Sequence, residues 1–175
     1  MDYRSQYPLP LRALSFVIDL CLVLGGVSIV SLVFVNALLR GAAGFDLAWS
    51  LEVTAFLLLW TTFLGAAAAM ARGAHMRVSE IVESLVPPRG QVWLALVIDL
   101  VILAMLASLI WYGTSIASHS WAQKTTVLYW PVGLLYAAMP AGMTCALAFH
   151  LFNLVHDWRN PKDWAMDNTG GGAAP

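Results

Sequence analysis

Asp19 and Asp99 pose the sharpest chemical question in this chain, because each is a carboxylate set in a long apolar run. A carboxylate at the centre of a bilayer costs about 2.5–3.5 kcal/mol on insertion scales, so such a residue either has a function or has a partner. Asp19 follows Arg12 by seven residues and Asp99 follows Arg89 by ten. Helical rise then puts both about 10–15 Å in from one end of a helix. At that depth a carboxylate bonds a neighbouring helix or reaches interfacial water. A structural or subunit-contact role is favoured over a proton or ion site.

The histidines are His75, His119, His150 and His156. His75 closes one apolar run, and His150 and His156 close another. Two imidazoles at matched depth on different helices are the ligand set of a b-type haem in a four-helix bundle. A haem-binding membrane anchor of a respiratory enzyme is therefore the alternative reading. Against it, no apolar run carries histidines at two depths, and ordinary interfacial histidines are the simpler account. Cys21 and Cys145 both lie in apolar runs. Two separate cysteines of this kind form neither a disulfide framework nor a metal site, and they read as packing residues. The sequence has no nucleophile motif, phosphate loop or metal-ligand run. No catalytic, substrate-binding or metal residue and no cofactor is expected, and the chain is not expected to be an enzyme.

The elements that position these groups follow from composition. Of 175 residues, 60% are hydrophobic and 11% charged, where a soluble domain has about 25% charged. Mean hydropathy is +0.74. A net charge of −1 leaves no basic footprint for a nucleic acid. Between Glu52 and Arg72 lie nineteen uncharged residues, about 28 Å of helix and close to one hydrocarbon thickness. The twenty residues between Asp19 and Arg40 are too many for a secretory h-region, so they read as a retained span.

The fold class is an all-α integral membrane protein with four transmembrane helices, at about 15–39, 51–71, 91–112 and 131–156. Pro140 falls inside the fourth and bends it, since proline removes a donor and clashes one turn back. Between the second and third spans, Val78, Ile81, Val82 and Leu85 keep i, i+3, i+4, i+7 spacing before Pro87-Pro88. That pattern predicts a short interfacial amphipathic helix over 77–86, lying on lipid or on a partner. Residues 1–14 form an N-terminal segment and 159–175 a disordered tail.

Orientation follows from the cations. Arg4, Arg12, Arg72, Arg77, Arg89, Arg159 and Lys162 fall on one side of these spans, and Arg40 and Lys124 on the other. The positive-inside rule puts both termini in the cytoplasm. Gly65 with Ala69, and Ala138 with Gly142 and Ala146, are small-residue pairs suited to close helix packing in lipid. Asn36, Arg40 and Glu52 frame the hairpin between the first two spans, and an exposed Arg40–Glu52 pair across it contributes about 0–1 kcal/mol.

In their order along the sequence, several motifs resemble the small membrane subunit of tripartite ATP-independent periplasmic (TRAP) transporters, the DctQ-like family. Asn36-x-x-x-Arg40 is similar to its first signature. Trp49-Ser50-Leu51-Glu52, Trp60 and Phe63-Leu64-Gly65-Ala66 are similar to its second. Arg72-Gly73-Ala74-His75-Met76-Arg77-Val78 and Leu85-x-Pro87-Pro88-Arg89 are similar to its third. Gln123, Pro131, Tyr136, Pro140 and Gly142 are similar to its last-span pattern. Leu51 and Ser79 stand where the family often has acids. The resemblance covers about Ser15 to Trp158.

It implies a small permease (scaffold) subunit of a sodium-coupled symporter in the bacterial cell inner membrane, serving organic acid uptake. A large M-type membrane subunit carries the substrate and sodium sites, and a periplasmic substrate-binding protein delivers the organic anion. Structural or subunit contacts are then expected at Asn36, Arg40, Glu52, Trp60, Gly65, Arg72, His75, Arg77, Pro140 and Gly142. Contact with the binding protein is expected at Arg40, Glu52, Gln123 and Lys124.

Overall fold

The computed structural model describes residues 7–72 and 88–159. The helix expected over 77–86, and His75 and Arg77 with it, lie outside the described residues, as do 160–175. Among the described residues, four helical segments are long and apolar enough to cross a membrane: Leu9–Ala43, Ala48–Ala71, Trp93–His119 and Val132–His156.

Helix α1 (Leu9–Ala43) has 35 residues, about 52 Å of rise against about 30 Å of hydrocarbon. It begins before residue 15 because Pro8 and Pro10 sit in the cap and first turn, where a missing amide hydrogen is no loss. It ends at Gly44, whose φ of 63° is the left-handed conformation that closes a helix, with the cap amide donating to Leu39 O. Helix α2 (Ala48–Ala71) follows after four residues.

Helix α3 (Pro88–His119) runs on past the expected end at 112, through Thr114, Ser115 and Ser118. These polar residues do not stop it, because their side chains bond their own helix. Thr114 Oγ1 donates to Ile110 O at 2.7 Å, Ser118 Oγ to Ser115 O at 2.8 Å, and His119 Nδ1 to Ser115 O at 2.7 Å. The fourth span is split into α4 (Val132–Tyr136) and α5 (Ala138–Arg159), interrupted at Ala137. Pro140 lies three residues beyond that break, and it has no N–H to offer Tyr136 O.

The helices pack in the order α1, α2, α5, α3, with α4 against α3 and α2. Each seam is narrow because small residues line it. Gly142 of α5 lies so close to α2 that an added Cβ would meet the backbone carbonyl and the Cβ of Phe63 at 2.7 Å. Ala138 and Ala146, one turn to either side, are buried with it. Gly25 of α1 takes the Thr61 side chain, and Gly113 of α3 lies under Pro140, whose Cδ would be 3.0 Å from an added Cβ. On α2 the buried small residues within this chain differ from the Gly65–Ala69 pair. Gly65 meets Leu22 only at ordinary contact, 3.8 Å, and Ala69 is exposed. Ala67, Ala68 and Ala71 are the buried ones.

Much of the remaining apolar surface points outward. Phe16, Val23, Val30 and Phe34 of α1 and Leu100, Val101 and Met105 of α3 are all exposed. A water-soluble monomer does not present apolar surface on this scale. Trp93 near the start of α3, and Trp111 and Tyr112 near its end, are also exposed, as the aromatic belts of a membrane helix are.

Candidate functional site

Polar side chains gather at the two ends of this row of helices and tie its seams. At the end where α1 begins, Arg72 Nη2 donates to Asp19 Oδ1 at 3.0 Å, joining α2 to α1. The Arg72 side chain is 53% exposed, which limits the pair to about 0–1 kcal/mol. His150 of α5 places Nε2 3.9 Å from Asp99 Oδ1 of α3, beyond direct hydrogen-bond reach. Asp19 and Asp99 thus each face a basic or ionisable side chain on the adjacent helix.

The seam between α2 and α5 has a different closure. The last carbonyls of a helix lack intrahelical donors. Asn153 Nδ2 donates to Met70 O at 3.0 Å, and the Tyr7 hydroxyl lies 3.1 Å from Ala71 O and 2.9 Å from Asn153 Oδ1. Tyr7 is buried, stacked on Phe149 at 5.5 Å and edge-on to Phe152 at 5.0 Å. Neither Tyr7 nor Asn153 stands out in the sequence. The one local signal is an aromatic before Pro8 at the start of an apolar run.

At the opposite end, Asn36 Oδ1 accepts the Leu47 amide at 2.8 Å and so ties the end of α1 to the loop entering α2. The expected Arg40–Glu52 pair does not form. Glu52 instead accepts three hydrogen bonds from the loop between α3 and α4. Thr126 Oγ1 and the Val127 amide donate to Oε1 at 2.9 and 2.8 Å, and the Leu128 amide donates to Oε2 at 2.8 Å. Successive amides turned to one side make an anion-binding concavity, and Glu52 fills it.

The same loop is closed at its base. Thr125 N donates to Trp130 O at 2.9 Å, Trp130 N to Thr125 Oγ1 at 3.1 Å, and Val132 N to Gln123 O at 2.8 Å. Tyr129 at φ 54° makes the turn. Below it, Phe56 meets Trp130 edge-on at 5.8 Å, and Trp60 Nε1 donates to Leu134 O at 3.3 Å. Arg40, Gln123 and Lys124 are exposed at this end.

The structure thus brings Asn36, Glu52 and Trp60 into defined contacts at one end, places Arg72 at the other, and sets Gly142 and Pro140 in the seams. His119 lies at the opposite end of the row from His150. Among the described residues, no group of three His, Cys, Asp or Glu side chains is placed to hold a metal ion.

A row of apolar helices tied by polar contacts at its ends is a multi-pass membrane protein. Residues 29–160 match the family described as tripartite ATP-independent periplasmic transporters, DctQ component. The chain belongs to this family. It is 32% identical over 97 residues to a TRAP transporter small permease protein of Haemophilus influenzae. That match covers 53% of this chain and 60% of the relative's length.

Proposed function

We propose that this protein is the scaffold subunit of a sodium-coupled TRAP system that takes up an organic anion across the bacterial inner membrane. A large membrane subunit carries the transport site, and a soluble periplasmic protein delivers the substrate. Both termini of this subunit are cytoplasmic, so Arg40, Gln123 and Lys124 face the periplasm and meet the binding protein. The observation that carries this reading is where the polar groups go. Asp19, Glu52, Arg72, Asn153 and Tyr7 all serve contacts within the row, while broad apolar faces of α1 and α3 stay uncovered. Such a molecule is built to be held beside other helices.

Affinity capture of the tagged protein from its native membrane tests the reading. A large, multi-spanning protein is expected to co-purify in stoichiometric amount, and capture of the small subunit alone would overturn it. Exposed rim charges act mainly on association rate. Arg40→Glu or Lys124→Glu should therefore raise the binding-protein concentration at half-maximal uptake by about threefold or more, with a stronger dependence at low salt. The membrane complex should remain assembled. Uptake kinetics identical to the unaltered complex at both salt concentrations would count against this docking face.

A further inference from the structure

The sequence groups Glu52 with the residues that touch the binding protein, yet its carboxylate is turned into its own subunit. We infer that Glu52 is a positioning residue that presents the loop 120–131 to the binding protein. This inference rests on the scaffold reading above.

The geometry argues for preorganisation in three steps. Glu52 lies in the second turn of α2, where regular helix backbone fixes its Cα. It is carried by a helix rather than by a loop, and its two oxygens take two consecutive backbone amides and one hydroxyl, all within 2.9 Å. The loop it holds is already pinned at its base by the Thr125–Trp130 and Gln123–Val132 pairs, so one carboxylate is enough to fix its tip. Trp121, Gln123, Lys124 and Tyr129 are left exposed on this fixed frame. A surface ordered before encounter loses less conformational freedom on binding, and this raises affinity without adding a contact. Glu52 therefore acts through Gln123 and Lys124 and touches no partner itself.

Glutamine at this position keeps the shape but has one acceptor oxygen and an NH2 group that opposes an amide N–H. With Glu52→Gln in the assembled membrane complex, hydrogen exchange at the Val127 and Leu128 amides should rise by about tenfold or more, the equivalent of a lost charge-assisted hydrogen bond. The binding-protein concentration at half-maximal uptake should rise by about tenfold too, with the rate recovered at saturating binding protein. Thr126→Val removes one donor from an exposed loop position that folding does not depend on, and it should shift both readouts in the same direction by less.

Unchanged exchange at Val127 and Leu128 in Glu52→Gln would overturn the inference. So would faster exchange with an unchanged half-saturating concentration, since the loop would then be ordered for some other purpose. Either result leaves the scaffold reading standing. Failure of the unaltered protein to assemble with a large subunit would overturn that reading instead.

Discussion

Gly142→Ala should prevent the four helices from packing as a stable unit. The added Cβ would lie 2.7 Å from the backbone carbonyl carbon and oxygen of Phe63 as well as from its Cβ. Backbone atoms in the middle of a helix cannot rotate away as a flexible side chain would, so α2 and α5 must separate. Overpacking a well-filled core costs about 1–3 kcal/mol. Here the cost extends along the seam, because Ala138, Ala146 and Phe149 are buried on the same helix. Close helix approach is also a main source of association in lipid.

Gly26→Ala is the internal comparison. It sits in α1 with nothing within 4 Å of the added Cβ, so loss of backbone freedom in the unfolded state should make it neutral or stabilising by about 0.5–1 kcal/mol. Thermal unfolding of purified protein in detergent, followed by loss of monodisperse material, distinguishes them. Equal midpoints for the two variants would refute the seam assignment.

The second large effect is expected at Tyr7. Tyr7→Ala removes a buried ring packed on Phe149 and Phe152, together with the one hydroxyl proton that Ala71 O and Asn153 Oδ1 share. Truncating a buried aromatic to alanine costs about 3–5 kcal/mol. Tyr7→Phe keeps the ring and loses only the hydroxyl, for about 0.5–1.5 kcal/mol. The same unfolding assay should therefore show a large drop for alanine and a small one for phenylalanine. Equal losses would mean that the hydroxyl, not the ring, holds the N-terminal segment in place. No loss in either would mean that Tyr7 does not clasp α2 to α5.

Apolar run length made the four spans readable from the sequence, since it is a local property. The ends were harder. Helix α3 outlasted its apolar stretch because Thr114, Ser118 and His119 satisfy themselves on their own helix, which composition does not register. The seam at Gly142 was visible as a run of small residues one turn apart. The matching surface on α2 was not, because Gly65–Ala69 fits the pattern as well as Ala67, Ala68 and Ala71, and only packing decides between them.

Glu52 shows the same limit from the polar side. Arg40 was its nearest opposite charge along the sequence, yet its donors come from residues 126–128, more than seventy positions away. Two of those three are backbone amides, which carry no sequence signature. Tyr7 and Asn153 were missed for a related reason, as they cap orphan carbonyls of a helix distant in sequence.

On the proposed function this subunit frames a transporter and does not itself carry substrate. Uptake in proteoliposomes under an inward sodium gradient tests it most directly, using a labelled organic anion recognised by the system's binding protein. The purified subunit alone should give no uptake above protein-free vesicles. The subunit together with its large partner and the binding protein should give sodium-dependent uptake. Uptake by the small subunit alone would show that it carries substrate itself and is not a scaffold.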